Sequence, residues 1–250
     1  MDVAADNQHK TPKKKRRSDF CTSPFIFGFY VEKGKNMASM AQKKAQIRTQ
    51  IVSAAHIYRD NLAGKVFLYV YGGEFFEVVF HTNRFMHLTG VNSTITAQDF
   101  YNKAKKSILT TDQFFFDQKH PYHSAKKKLP YLLNLPKITN SLVCVVKDMP
   151  TATLTYKLGM TDMEFTIGLT ENIDKAGNKI NDWFLPRTLR VKDQAIDISA
   201  DAEFVDFIFS KDASMVKYDT ISFADPNTSI PLSIEPMLSQ NLLDSLKTKR

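Results

Sequence analysis

Between residues 41 and 62 apolar side chains recur at helical spacing, at Ile47, Ile51, Ala54, Ala55, Tyr58 and Leu62, and Gly64 follows as a stop. That pattern predicts an amphipathic helix. Residues 65–71 and 75–80 are β-rich runs of Val, Phe, Leu and Tyr joined by Gly72 and Gly73, a hairpin signal. Thr96 suits the cap of a second helix running to Ser107, with Asp99 against the positive end of its dipole. A third helix is predicted to start at Thr110 or Thr111, and residues 126–134 suit a short one limited by Pro130 and Pro136. From residue 142 strands take over, at 142–147, 152–158, 164–170, 183–191, 203–209 and 220–223. A tight turn is expected at 159–162 and a polar loop at 174–178. Sequential strands joined by short turns pair antiparallel. The fold class is therefore α+β, with N-terminal helices and a hairpin followed by a mainly antiparallel β-sheet.

The ends read differently from the middle. Residues 1–39 carry the block Pro12 to Arg17 (PKKKRR), which repels itself and stays solvated, so they are expected to form a disordered basic arm. The block is similar to a nuclear-import string, although nothing else in the chain looks nuclear. A signal peptide over residues 20–31 is a poor fit, because Pro24, Gly28 and the Thr22–Ser23 pair interrupt the apolar stretch. Met37 and Met40 stand just before the first helix, so translation from Met1, Met37 or Met40 is open. Residues 40–225 form the expected folded domain. Residues 226–250 are Pro- and Ser-rich with a short amphipathic piece at 237–246, and are expected to be a loosely ordered tail. No stretch reaches the 18 or so apolar residues of a membrane span, so no membrane contact is expected.

Composition narrows the function. The chain has 250 residues, with 43% hydrophobic and 24% charged positions, ordinary values for a globular domain with a real core. Two cysteines, Cys21 and Cys144, supply neither a disulfide framework nor a cysteine-based zinc site. No GxGxxG or P-loop string occurs, which argues against a dinucleotide or P-loop enzyme. The formal charge of +8 suits an anionic partner, yet half of it lies before Met37, and the folded part is only mildly basic.

Several strings could carry chemistry. Phe85 to Gly90 (FMHLTG) follows a predicted strand, and at a strand end His87 and Thr89, two apart, would point the same way. Imidazole exchanges protons near neutral pH, but a lone histidine capping a turn fits the spacing as well. Pro186 to Arg190 (PRTLR) lies inside a predicted strand, where Arg187 and Leu189 face one side and Thr188 and Arg190 the other. A guanidinium fork matches phosphate oxygens; a solvated strand face is the plainer reading. Lys126, Lys127 and Lys128, with Lys103, Lys105 and Lys106, could track a phosphate backbone or simply be solvated. His120 and His123 have a spacing that tempts a metal reading, but they sit in a Pro-rich loop without a carboxylate pair, so no metal and no cofactor are expected.

Taken together, Tyr58 to Gly64 (YRDNLAG), Phe85 to Gly90, Lys157 to Asp162 (KLGMTD), Trp183 to Arg190 (WFLPRTLR) and Tyr218 to Ile221 (YDTI) resemble the phage Barnase–EndoU–Colicin–RelE-like nucleases, fourth type. The likeness spans about residues 56–225. It implies an RNase-like nuclease domain at 40–225 that cleaves RNA without a metal, in a phage, prophage or conjugative element of bacteria. By that resemblance the catalytic set is His87, Arg187, Thr188 and Tyr218, with Thr89 binding substrate; residue type and charge add Arg190, Lys126 and Lys128 as substrate-binding candidates. One departure stands out: no duplicated histidine pair of the EndoU kind is evident, since His56 lies on the core stripe of the first helix and His81 is expected on the opposite parity to His87.

The resulting expectation is an endoribonuclease acting as a toxin or host-takeover effector in the bacterial cytoplasm. Its partners would be RNA (host tRNA, mRNA or rRNA) and an immunity or antitoxin protein. RNA carries its own nucleophile, the 2′-OH, so the protein need supply only a base, an acid and cationic stabilisation. Two alternatives are a non-catalytic binding module of the same fold that inhibits a host protein, and a virion or ejection protein.

Overall fold

Ser39 opens the first helix. Its hydroxyl accepts from the Gln42 N–H at 3.2 Å while the Gln42 side chain accepts from the Ser39 N–H at 2.8 Å. Such a reciprocal cap is worth about 1 kcal/mol. In the computed structural model, which describes residues 38–150, 155–162, 164–192 and 202–248, helix α1 spans Met40–Asn61 and buries the predicted stripe from Ile47 to Tyr58. All described residues belong to one unit, Ala38–Arg250. The expected arm lies outside them up to Met37.

The hairpin follows as β1 (Lys65–Tyr71) and β2 (Glu74–Val79). A 3-10 turn at Thr82–Arg84 leads into α2 (Phe85–Thr89), then β3 (Asn92–Ser93), α3 (Ala97–Lys105) and β4 (Phe114–Phe115). Thr96 caps α3 through the Asp99 N–H at 3.1 Å. Next come α4 (Tyr122–Leu133) and a 3-10 turn at Leu135–Thr139. The strand half comprises β5 (Cys144–Pro150), β6 (Thr155–Thr161), β7 (Phe165–Ile173), β8 (Lys179–Val191), β9 (Ala202–Phe204), β10 (Phe207–Asp212) and β11 (Thr220–Ala224), and α5 (Gln240–Thr248) ends the chain.

Three local expectations need correction. The helix foreseen from Thr110 or Thr111 is a turn leading into β4, and the helix instead begins at Tyr122 and runs through Pro130, which is on the solvent side near its C-terminal end. Gly159 does not make a turn but lies within β6, where a Cβ would come within 2.9 Å of Val146 Cγ2 and 3.1 Å of Met149 Sδ. The string Phe85 to Thr89 is helical rather than a strand end, because Phe85 and Leu88, three apart, are its buried pair. Residues 152–154 of one predicted strand lie outside the described residues.

Nine strands form one sheet in the order β11-β10-β1-β2-β8-β7-β6-β5-β9, antiparallel throughout except where β2 meets β8 in parallel. The predicted strand at 203–209 is divided in a way that shapes everything else. β9 pairs with β5, β10 pairs with β1, and only Val205 and Asp206 separate them. The Val205 N–H donates to Val143 O at 2.9 Å and the Asp206 N–H to Val70 O at 2.7 Å. Residues 202–212 thus run as one bent strand that stitches both sides of the sheet together.

The two faces are covered by different parts of the chain. Phe67, Tyr69 and Tyr71 of β1 point into the main core, with Ile208, Met160, Ile167 and Leu189 and with the apolar sides of α1 to α4. Val66, Leu68 and Val70 point the other way, into a second core with Phe207, Phe209, Tyr218, Ile234, Leu238 and Leu242. The segment after Pro226, expected to be loosely ordered, supplies the last three of these buried side chains. Full burial of one such side chain is worth about 1.5–3 kcal/mol, enough to hold the segment down. Leu238→Ala should therefore lower the unfolding free energy by about 2–5 kcal/mol, measured by urea denaturation. A loss under 0.5 kcal/mol would show that the segment is not part of the cooperative unit.

Candidate active site

The turn at Thr82–Arg84 and α2 form one short helical stretch whose placement is set by its apolar side. Phe85 is fully buried, with its ring edge-on to Tyr58 and Tyr101 at 5.3 and 5.5 Å between centroids, and Leu88 is buried beside it. Arg84 and His87, also three apart, are thereby turned to the other side. Gly90 ends the helix with φ 77°, and a Cβ there would meet the Lys128 side chain at 3.0 Å, so α4 approaches closely.

Opposite this stretch, β8 carries a bulge. Thr188 pairs with Gly168 and Pro186 with Leu169, which leaves Arg187 as the extra residue without a partner on β7. Pro186 has no N–H to give to a ladder, so the bulge sits where the ladder is already weak. The extra residue re-aims the strand, and Arg187 comes out exposed within reach of α2.

Burial and neighbouring positive charge act together here. His87 stays below its ordinary pKa of 6.5, first through partial burial and then through the positive charges of Arg187, Arg84 and His120. Arg84 is lowered by burial and by Arg187, and His81 by burial and by Arg84. Among the described residues, no carboxylate pairs with Arg84, His87 or Arg187, and Arg84 Nε is buried without a hydrogen-bond partner. Cations held together without an acid make a site for an anion.

His120 enters the same neighbourhood from the loop before α4. Asp117 Oδ1 accepts from its backbone N–H at 2.6 Å and lies 3.2 Å from its Nδ1. Asn92 donates to the other carboxylate oxygen at 3.0 Å. The Asn92 amide and the His120 N–H hold the Asp117 carboxyl below its usual range, so it remains a fixed negative charge beside the ring. Arg84 and His120 are the two members of the cluster that sequence reasoning did not select. His123 is exposed on α4, and among the described residues no three His, Cys, Asp or Glu side chains gather as a metal site.

The other expected site residues divide. Thr188 and Arg190 line a cleft of about 250 Å³ with Ser124, Lys127 and Lys128 of α4. Positions 124, 127 and 128 share one helix face, which includes Lys128 but turns Lys126 away. The cleft adjoins the cluster where Thr188 follows Arg187 and Lys128 lies over Gly90. Thr89 is fully buried, its hydroxyl donating to Met86 O at 2.7 Å, so it closes α2 instead of facing a ligand. Tyr218 is fully buried in the second core, on the sheet face opposite α2. Its hydroxyl donates to Glu77, and burial followed by that hydrogen bond raises its pKa far above the ordinary tyrosine range.

The model of the phage-Barnase-EndoU-ColicinE5/D-RelE-like nuclease 4 family matches residues 50–226. The chain belongs to that family. No curated protein and no solved structure matches. The α+β fold with its mainly antiparallel sheet is consistent with this nuclease family, and membership points to nucleic acid as the substrate class. The matched span of this nuclease 4 domain contains all of Arg84, His87, His120 and Arg187. No helix among the described residues is long and apolar enough to cross a membrane.

The location of Tyr218 separates a catalytic role from a structural one. Tyr218→Phe leaves the Glu77 carboxylate short of a donor, with Lys211 still 3.8 Å away. Stability should drop by about 1–2 kcal/mol, read by thermal or urea unfolding, while nuclease activity per folded molecule stays the same. A fall of tenfold or more in activity would return Tyr218 to the site.

Proposed function

We propose that the chain is an endoribonuclease that cleaves RNA by acid–base transesterification, with no part assigned to a metal. The carrying observation is the cluster of Arg84, His87 and Arg187, mutually close and without an acidic partner. In this reading a backbone phosphate docks between the two guanidiniums. Neutral His87 takes the proton from the 2′-OH, whose oxygen attacks the adjacent phosphorus. Arg187 and Arg84 hold the charge that grows on the equatorial oxygens. His120, oriented by Asp117, gives a proton to the departing 5′-oxygen. The products are a 2′,3′-cyclic phosphate and a 5′-hydroxyl. The lowered pKa of His87 supports the base role, since the ring is unprotonated near neutral pH. Thr188, Lys128 and Arg190 then receive the neighbouring backbone. A toxin or host-takeover role in a bacterial cell, with a cognate immunity protein, is the biological setting this chemistry fits.

His87→Ala should lower RNA cleavage by about 10²–10⁴-fold, with folding stability changed by less than about 0.5 kcal/mol. Arg187→Lys should also impair cleavage, because an ammonium cannot replace a two-pronged fork. The assay is purified protein with total RNA in EDTA, with product ends checked for cyclic phosphate. Full activity of His87→Ala would refute the assignment.

The pH profile carries a sign. A base must lose its proton before it acts, so kcat/KM rises with pH through the pKa of His87 in the free enzyme. The acid limb should lie below 6.5, the ordinary histidine value. Arg187→Ala removes one of the charges that keep the ring neutral, and should move that limb to higher pH. A limb that stays in place, or moves down, would show that His87 is not the group titrating.

A further inference from the structure

A second concavity of about 380 Å³ is lined by Arg84 and shares no lining residue with the cleft at Arg190. Its wall comes from an irregularity in the β7–β8 pairing. Glu171 pairs with Phe184 and Ile173 with Lys179, so residues 180–183 of β8 face Asn172 alone. The surplus chain splays Ile180 outward, 60% exposed, opposite Ile173, 47% exposed, with buried Leu185 as the floor. Ile173, Ile180 and Leu185 give this open, mostly polar-lined groove an apolar patch against which a flat ring can lie.

Asn172, which is only 8% exposed, is among the polar residues that line the groove, with His81, Thr82, Asn83, Arg84 and Gln98. Its orientation is fixed by a chain of hydrogen bonds. The Trp183 N–H donates to Asn181 Oδ1 at 3.1 Å, so that atom is an acceptor, and Asn172 must present its NH₂ to it, at 3.0 Å. Asn172 Oδ1 is then the atom left over, and among the described residues nothing donates to it. An acceptor held in one orientation and open to the groove can receive a donor from a ligand.

Arg84 lines this groove and belongs to the cation cluster. A ligand spanning both would carry an anion at one end and a flat, amine-bearing ring at the other. We infer that the groove receives the base of the nucleotide whose phosphate the cluster holds, and that Asn172 selects bases with an exocyclic amine over uracil or thymine. The inference rests on the proposed phosphate site. Cytosine has an amine where uracil and thymine have a carbonyl oxygen, and that oxygen would face Asn172 Oδ1 acceptor to acceptor. Ile173 and Ile180 supply the stacking surface and read no edge.

The test is a binding comparison that requires no cleavage. The probes are 2′-deoxy trinucleotides of thymidine whose central base is cytosine or thymine, titrated into the full-length protein. The cytosine probe should bind about five- to tenfold more tightly, the worth of one good hydrogen bond and the avoided repulsion. Asn172→Ala should bring the two affinities together. Asn181→Ala, which leaves the Asn172 amide free to turn, should narrow the same gap. Ile180→Ala, an exposed change, should weaken both probes and leave their ratio intact. Equal binding of the two probes by the native protein, or a ratio that persists in Asn172→Ala, would overturn the inference. The nuclease reading fails separately: an absence of RNA cleavage leaves the probe ratio standing, and cleavage whose base preference is unaltered in Asn172→Ala overturns only the base selection.

Discussion

Residues 202–212 have to satisfy two partners on opposite sides of the sheet, and the rest of the molecule is arranged around that demand. Once β9 is paired to β5 and β10 to β1, the sheet has an inner face that must be filled and an outer face that must be covered. β1 shows the consequence most plainly, since every residue from Val66 to Tyr71 is buried and its neighbours alternate between two cores. The helices fill one face and the C-terminal segment covers the other. Near the join, Lys147 binds Glu74 at 3.0 Å and Glu203 at 3.1 Å, tying the hairpin, β5 and the bent strand together. These groups are largely solvent-exposed, so the pairs fix geometry more than they add stability.

The site depends on two departures from regular structure in β8. A regular strand would alternate Arg187 with its neighbours and aim it by parity alone. The bulge at Arg187 and the four-against-one irregularity opposite Asn172 release side chains in directions that a ladder forbids. Between them lies α2, too short to be stable alone and held by Phe85 and Leu88 in the main core. Rigid anchoring is what allows Arg84, His87 and Arg187 to stay close despite like charge.

Much of the fold was legible because its signals are local. The α1 stripe, the Gly72–Gly73 hairpin, the Thr96 cap and the antiparallel order of the strands all follow from spacing within a few residues. α2 was misread because five residues give no full period, although the i, i+3 pairs Phe85/Leu88 and Arg84/His87 carry a helical signal in miniature. The unbroken apolar run of β1 held a further clue: a strand without polar alternation needs cover on both faces, so some later segment had to dock. Among the residues that could be named from type, His87 comes near Arg187, and Thr188, Arg190 and Lys128 line one cleft. Arg84 and His120 could not be named so, since their nearness to His87 arises only from packing between distant elements. Tyr218 and Thr89, expected at the site, are buried, and each gives its hydroxyl proton to a structural partner.

Leu185 connects the C-terminal segment to the site. It is 1% exposed, packs in the second core with residues of that segment, and forms the floor of the groove beside Arg84. It also stands two positions before the bulge that aims Arg187. Removing the cover from the second core would expose Leu185 and loosen β8 where register is already irregular, so the loss would be felt first at Arg187 and Asn172. The segment from 226 to 248 thus packs behind the strand that carries Arg187 and Leu185.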